Sequence, residues 1–231
     1  MREVREGTSP EGLALSAHAK RIVEFFFSPG SRYSYLAASQ MPRLETETDC
    51  TVDWRPVHGH DLRRLRGYDP FDGDPVSGQY DWSYRRRDAE WWAEYYGIPF
   101  REPRSHDFDF KLLVRAATAS KRLGAVASYS WRLCSAVYGR AAWPLDEALC
   151  VEIATDMGLS ATSFATLLSD SATQELMTDT ADEAHRRGAF GVPTFFADER
   201  MFWGNDRLVL LRHYLTTSAT KHVGTPNAPR C

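Results

Sequence analysis

Residues 24–37 read Glu24-Phe25-Phe26-Phe27-Ser28-Pro29-Gly30-Ser31-Arg32-Tyr33-Ser34-Tyr35-Leu36-Ala37. Residues 22–27 are β-branched and aromatic, and predict a short buried strand. Ser28-Pro29-Gly30-Ser31 has the chemistry of a turn. From Tyr33 onward the pattern predicts a helix, with Ser31 as its cap and Pro42 ending or kinking it. A second short strand is expected over 51–54. Strand, helix and strand make a βαβ unit, with parallel strands and a right-handed crossover.

Outward from this unit the character changes. Residues 58–80 are rich in Gly, Pro and Asp and read as an irregular loop. Helices are expected over 81–96, stopped by Gly97-Ile98-Pro99, and then over 110–123, 127–138, 144–157, 163–168 and 173–187, the last ending at Gly188. Strand signals return at 193–196 and 200–202, either side of Asp198-Glu199, before a helix over 206–215. The order is therefore βαβ, helical insert, ββα, and both ends of the chain must join one sheet. The expected fold is α/β, a thioredoxin-like fold with an inserted all-helical domain. Residues 21–57 and 188–215 are its two halves and 58–187 the insert. Residues 1–20 are expected as a flexible leader and 216–231 as a flexible tail.

The chain has 231 residues, 43% of them hydrophobic, with 12 Phe, 10 Tyr and 7 Trp, enough for a real core. Its 28 basic and 31 acidic residues leave a net charge of -3, which gives no general reason to expect nucleic acid or an anionic membrane as partner. The run Tyr84-Arg85-Arg86-Arg87 is followed at once by Asp88 and Glu90, and reads as a solvated helix face, an ion-pair network or a patch for an anionic substrate. Residues 1–20 contain no long apolar run, so neither a signal peptide nor a membrane anchor is expected. Cys50, Cys134, Cys150 and Cys231 form no CxxC pair, which points to a reducing compartment, the cytoplasm, and against disulfide exchange. His58, His60 and Asp61 lack a third clustered histidine, so no metal is expected. No G-x-S-x-G elbow supports a serine hydrolase.

Three constellations carry chemistry. Ser31 sits between a strand and a helix, where unpaired N–H groups favour negative charge. It is either a plain cap or a hydroxyl that donates to another molecule's thiolate. In Gly191-Val192-Pro193-Thr194, proline at a strand start cannot join the ladder. The bond is either trans, an ordinary start to an edge strand, or cis, which would turn the Val192 N–H and C=O outward for strand-like exchange with a peptide-like ligand. In Phe202-Trp203-Gly204-Asn205-Asp206-Arg207, Asn205 or Asp206 caps the last helix, and a carboxylate there also suits a ligand ammonium. Trp203 is core or the wall of an apolar slot.

Together these segments resemble the 2-hydroxychromene-2-carboxylate isomerases, in the DsbA-like group that also holds kappa-class glutathione transferases. The resemblance runs over residues 21–215. It rests on 24–37, on Trp54-Arg55-Pro56-Val57, on 84–100 ending Tyr96-Gly97-Ile98-Pro99-Phe100, on 187–196, and on Met201-Phe202-Trp203-Gly204-Asn205-Asp206-Arg207-Leu208. It implies a dimeric thioredoxin-fold enzyme with glutathione as a nucleophile that is not consumed. The glutathione backbone would pair with Val192 beside Pro193, its γ-glutamyl end would lie near Asn205 and Asp206, and its sulfur would sit by the catalytic Ser31. The thiolate would add to an aromatic carboxylate substrate, let a double bond rotate, and leave. Arg32, Tyr33 and Trp203 would line the substrate. Arg55 offers a fork for its carboxylate or, alternatively, sits behind the site in an ion pair. The same residues suit a kappa-like transferase that consumes the thiol, and a non-catalytic binding protein could keep the fold. The chain departs from the family at Arg32, where proline is usual, and at Ser28, where many members carry Asp.

Overall fold

Arg21–Phe27 is β1, and the sheet is built around it. The computed structural model describes residues 20–67, 82–103 and 108–221. β2, Cys50–Pro56, runs parallel to β1 with Phe27 opposite Pro56. β3, Thr194–Ala197, runs antiparallel on the other side with Phe26 opposite Thr194. β4, Arg200–Trp203, completes the order β2-β1-β3-β4. The N-terminal and C-terminal segments therefore join side by side in one sheet, as the order of signals requires.

Alternation along β1 separates two cores. Val23, Phe25 and Phe27 meet Val52, Trp54 and Phe195 on one face. There α1 (Arg32–Ala38), α2 (Met41–Thr48) and α10 (Leu208–Lys221) cover them through Ala37, Leu44 and Leu211. Phe26 faces the other way, with Val57, Phe196 and two further helices, α3 (Gly59–Arg66) and α9 (Ser171–Arg186). Phe25 stacks on Phe195 with centroids 5.0 Å apart, edge-on to Trp54. Each fully buried Phe contributes roughly 1.5–3 kcal/mol.

Between β2 and β3 lie α3, α4 (Trp82–Tyr96), α5 (Phe110–Arg122), α6 (Val126–Cys134), α7 (Glu147–Asp156), α8 (Ala161–Ser169) and α9. This insert has its own core, with Leu113, Tyr129, Leu133 and Phe164 fully buried. Asp109, Asp146, Ser160 and Asp170 cap α5, α7, α8 and α9 with their side-chain oxygens. Among the described residues, no helix is long and apolar enough to cross a membrane.

Two expectations are corrected. The stretch from residue 58 does not begin as a loop: Gly59–Arg66 is helical because Leu62 and Leu65 share a face that packs on the second core. The last helix runs to Lys221, past the expected start of a tail at 216, and Thr216 and Thr217 bond back to carbonyls of Arg212 and His213. Residues 68–81, most of the expected leader and the end of the tail lie outside the described residues.

Candidate active site

Parallel β1 and β2 end at the same edge of the sheet, and antiparallel β3 begins there. Continuing the two registers sets Val57 and Val192 on either side of Ser28. The chemistry-bearing turn thus sits where three strand ends converge.

Ser31 caps α1 from an extended backbone conformation, and its Oγ accepts from Ser34 N–H at 3.3 Å. Its own hydroxyl proton stays available, since among the described residues no acceptor takes it. The turn is held from the insert. The Tyr138 hydroxyl donates to Gly30 O at 2.6 Å. Tyr138 is delivered by a π-helical turn, Ser135–Gly139, that ends α6, a device common at functional sites. The Phe110 ring lies on Gly30 so closely that a Cβ there would come 2.3 Å from its Cδ1. Tyr35, stacked on Tyr138, donates to Pro99 O at 2.6 Å.

The Val192–Pro193 bond is cis. Among the described residues, the Val192 N–H and C=O make no hydrogen bond. Gly204 N–H donates to Pro193 O at 2.9 Å, which ties the turn after β4 to this segment. Gly204 has φ 107, and a Cβ would stand 2.5 Å from Asp206 Oδ1, so only glycine fits. Asn205 is buried, with Oδ1 accepting from the Tyr96 hydroxyl at 3.2 Å. That bond fixes the amide, and Nδ2 is left buried with no hydrogen-bond partner among the described residues. Asp206 is exposed and lies 3.1 Å from Arg207. Both residues line a cleft of about 570 Å³ with Trp92 and Tyr96 of α4 and Arg43 and Arg212.

The other expected residues fall differently. Tyr33 donates to Asp88 at 2.8 Å under the Arg85 guanidinium, and burial with that carboxylate pushes its phenol up to about 12. Trp203 packs on Phe190 at 4.6 Å, forming an aromatic wall beside the cis-proline segment. Arg32 is buried and meets Glu102 at 3.0 Å, so its charge does not stand open to a substrate. Arg55 is a correction to the substrate-fork reading. Its three nitrogens reach Asp53, Glu183 and Glu24 at 2.7, 2.6 and 2.7 Å, behind the sheet on the α9 side. Alternation sends Arg55 to the face of Phe26 and Glu24, away from Trp54.

Sequence reasoning missed Phe110, Tyr138 and Glu102, which come from the insert and carry no local motif. It also set His58 aside. This residue caps α3 with its backbone, and its Nδ1 lies 3.3 Å from Asp61 Oδ2. Burial lowers the imidazole below its ordinary 6.5, against the pull of Asp61. The unfolded chain therefore binds this proton more tightly. Stability from this group is complete above 6.5 and falls as pH drops through the lower folded value. Denaturant titrations stepped through mildly acidic pH are expected to show that loss, and His58→Gln to remove it.

Cys50, Cys134 and Cys150 are buried free thiols, and burial raises all three, Cys150 to about 12.

A family model described as a DSBA-like thioredoxin domain matches residues 22–216. The chain is 29% identical over 199 residues to a 2-hydroxychromene-2-carboxylate isomerase of Sphingobium xenophagum, covering 84% of this chain and 98% of that one. It is 29% identical to the enzyme of the same name from Pseudomonas putida, covering 82% and 92%. A solved structure of a 2-hydroxychromene-2-carboxylate isomerase superposes with a TM-score of 0.75 at 26% identity, covering 87% of this chain and 98% of that one.

Proposed function

The chain belongs to the DsbA-like thioredoxin family, and within it we propose that it is a glutathione-dependent cis–trans isomerase of an aromatic carboxylic acid. One observation carries the reading: a hydroxyl, not a thiol, occupies the turn beside an unpaired Val192 backbone. A redox member needs a cysteine at the turn. Here Ser31 stands there, and the described cysteines are buried elsewhere.

The residues fit glutathione. Val192 offers an N–H and a C=O for strand-like pairing with a cysteinyl backbone. Asn205 Nδ2 is a buried donor in need of an acceptor, such as a γ-glutamyl carboxylate, and Asp206 suits the ammonium beside it. Bound there, glutathione supplies a soft, readily expelled nucleophile that lowers the bond order of a conjugated double bond for a moment. Ser31 Oγ donates its proton to an anion in the turn and favours the thiolate over the thiol. Phe190 and Trp203 supply an apolar wall suited to an aromatic substrate. Its carboxylate is not taken by Arg55, whose charge is already matched three times.

The reading includes a cytoplasmic homodimer. Trp91 and Tyr95 on α4 and Val209 on α10 are exposed and line the same cleft as Asn205 and Asp206, so a second copy seated there would border the γ-glutamyl end of the thiol.

Calorimetric titration with reduced glutathione tests the proposal. Binding is expected, weakened about tenfold or more by Asp206→Ala as a charge-assisted contact is lost. Ser31→Ala is expected to lower isomerisation of aromatic enone acids by about a hundredfold, the cost of one donor to a developing anion. Total thiol should stay constant as the substrate spectrum changes. Absence of binding overturns glutathione dependence, and stoichiometric thiol loss makes the enzyme a transferase.

A further inference from the structure

A serine can steady a thiolate, but it cannot take the thiol's proton. At neutral pH a hydroxyl is a far weaker base than the sulfur it would serve. The site therefore needs an acceptor for that proton near the sulfur. The structure holds one in a group that the proposed function has not used.

Extended by two residues, the β1–β2 register sets His58 across from Pro29, inside the turn that ends at Ser31. Val57 N–H bonds to Phe27 O at 2.8 Å, so the two segments remain paired as far as the residue before His58. The next residue, Gly59, packs directly on Val192: a Cβ there would lie 3.5 Å from Val192 Cγ2. His58 thus follows one strand end and adjoins the other. Its side chain is 13% exposed and that of Asp61 20%.

The surrounding charges are few and specific. On α3, Asp61 Oδ2 stands 3.3 Å from His58 Nδ1, the His60 ring lies 5.9 Å from the His58 ring, and Arg64 Nε is 3.9 Å from Asp61. From α5, Lys111 Nζ is also 3.9 Å from Asp61. Lys111 follows Phe110, the residue whose ring rests on Gly30. Asp61 therefore has cations on its far side and the imidazole on its near side. Nδ1 makes no hydrogen bond among the described residues, Asp61 Oδ2 being 3.3 Å away without the alignment of one, but the carboxylate's charge beside it favours the tautomer with the proton on Nδ1 and a lone pair on Nε2. Among the described residues, no three His, Cys, Asp or Glu side chains converge as they would for a metal.

We propose that His58 Nε2 accepts the proton of the thiol bound at Val192, with Asp61 as the positioning residue whose charge biases its tautomer. This rests on the thiol-dependent reading of the site. The S–H bond breaks, its electron pair stays on sulfur, and the proton forms an N–H bond at Nε2. The resulting imidazolium would then steady the thiolate together with Ser31 Oγ. When the sulfur is released the same proton returns, so no other reactant enters and nothing is oxidised. Burial supports the role, because it keeps the imidazole neutral and receptive around neutral pH.

Two measurements on the full chain test this. In the ligand-free protein, nitrogen-15 NMR reports which nitrogen of His58 carries the proton. The Nδ1–H tautomer is expected, and Asp61→Asn should shift the proton toward Nε2. An Nε2–H tautomer in the wild type overturns the proposal, whatever the site binds. With reduced glutathione present, the ultraviolet thiolate band is followed against pH. His58→Gln is expected to move thiolate formation upward by about one pH unit, a tenfold change in thiolate fraction. It should leave affinity for S-methylglutathione, which has no thiol proton, unchanged. A His58→Gln protein that binds S-methylglutathione normally and shows an unmoved thiolate band overturns the assignment and leaves the proposed function standing. Failure of the wild type to bind either peptide overturns that function instead, and the tautomer measurement then decides the His58–Asp61 pairing alone.

Discussion

Glu102→Gln is expected to cost about 3 kcal/mol of stability, the lower end for removing one partner of a buried ion pair. Arg32 and Glu102 meet at 3.0 Å with side chains each only 10% exposed. A guanidinium cannot shed its charge as a buried lysine can, so without the carboxylate Arg32 stays charged and poorly solvated. Because Arg32 opens α1 immediately after Ser31, the turn should loosen as well. In a domain of this size the loss should lower the melting temperature by roughly 6–12 °C. Joint replacement, Arg32→Met with Glu102→Leu, should recover most of it, because exchanging a buried pair for apolar groups is often neutral. As a control, breaking Lys20–Asp49, where both side chains are more than half exposed, should leave the melting temperature unmoved. A melt of Glu102→Gln equal to wild type would remove the pair from the account of how the site is held.

The second large effect concerns Gly30. Alanine at this position would drive its Cβ to 2.3 Å from Phe110 Cδ1 and 2.8 Å from Cε1. The ring cannot simply retreat, because it packs on Phe108 at 4.3 Å and its backbone starts α5. The turn cannot retreat either, since Tyr138 holds Gly30 O. Overpacking of this kind costs about 1–3 kcal/mol. Gly30→Ala should therefore melt earlier and bind glutathione more weakly. Phe110→Ala removes the obstacle, so the double variant should be more stable than the two single losses predict by about 1 kcal/mol. Additive losses in that cycle would show that the contact does not constrain the turn.

Much of this architecture could be read from local pattern. The Phe-rich strand, the serine turn, the proline before β3 and the Gly204 turn each have residue types that their conformations demand. Pro42 marks the break between α1 and α2, and it sits in the first turn of α2. What escaped was helix α3, where Arg and His outnumber the two leucines that bury it. Its apolar face is too narrow for periodicity to detect, and only packing on Ala181 and Ala184 of α9 makes it helical. The helix past residue 216 escaped because Thr and Ser are weak helix formers, and the Thr216 and Thr217 hydroxyls bond back along the chain.

The site divided in the same way. Ser31, Val192, Pro193, Asn205 and Asp206 lie at strand ends and in the turns beside them, and their local motifs single them out in the sequence. Glu102, Phe110 and Tyr138 reach the turn from helices and connections more than sixty residues away in sequence, as the 108-residue span of the Tyr138–Gly30 bond illustrates. No local signal reports such a partner. Arg55 carried two readings from its motif position, and the alternation of β2 decides for the ion pair by aiming its side chain at three carboxylates.

The sheet, joined from the two ends of the fold, also sets a timetable for synthesis. β1 emerges from the ribosome early, but its β3 neighbour follows on the order of 170 residues later, about 10–30 s at ordinary elongation rates. During that interval a strand carrying three consecutive phenylalanines has β2 on one side and an open edge on the other, the kind of edge that recruits foreign strands. The insert, with a core of its own, can condense meanwhile and shelter the turn through Phe110 and Tyr138. The nascent chain thus depends on its middle to guard its beginning until its end arrives.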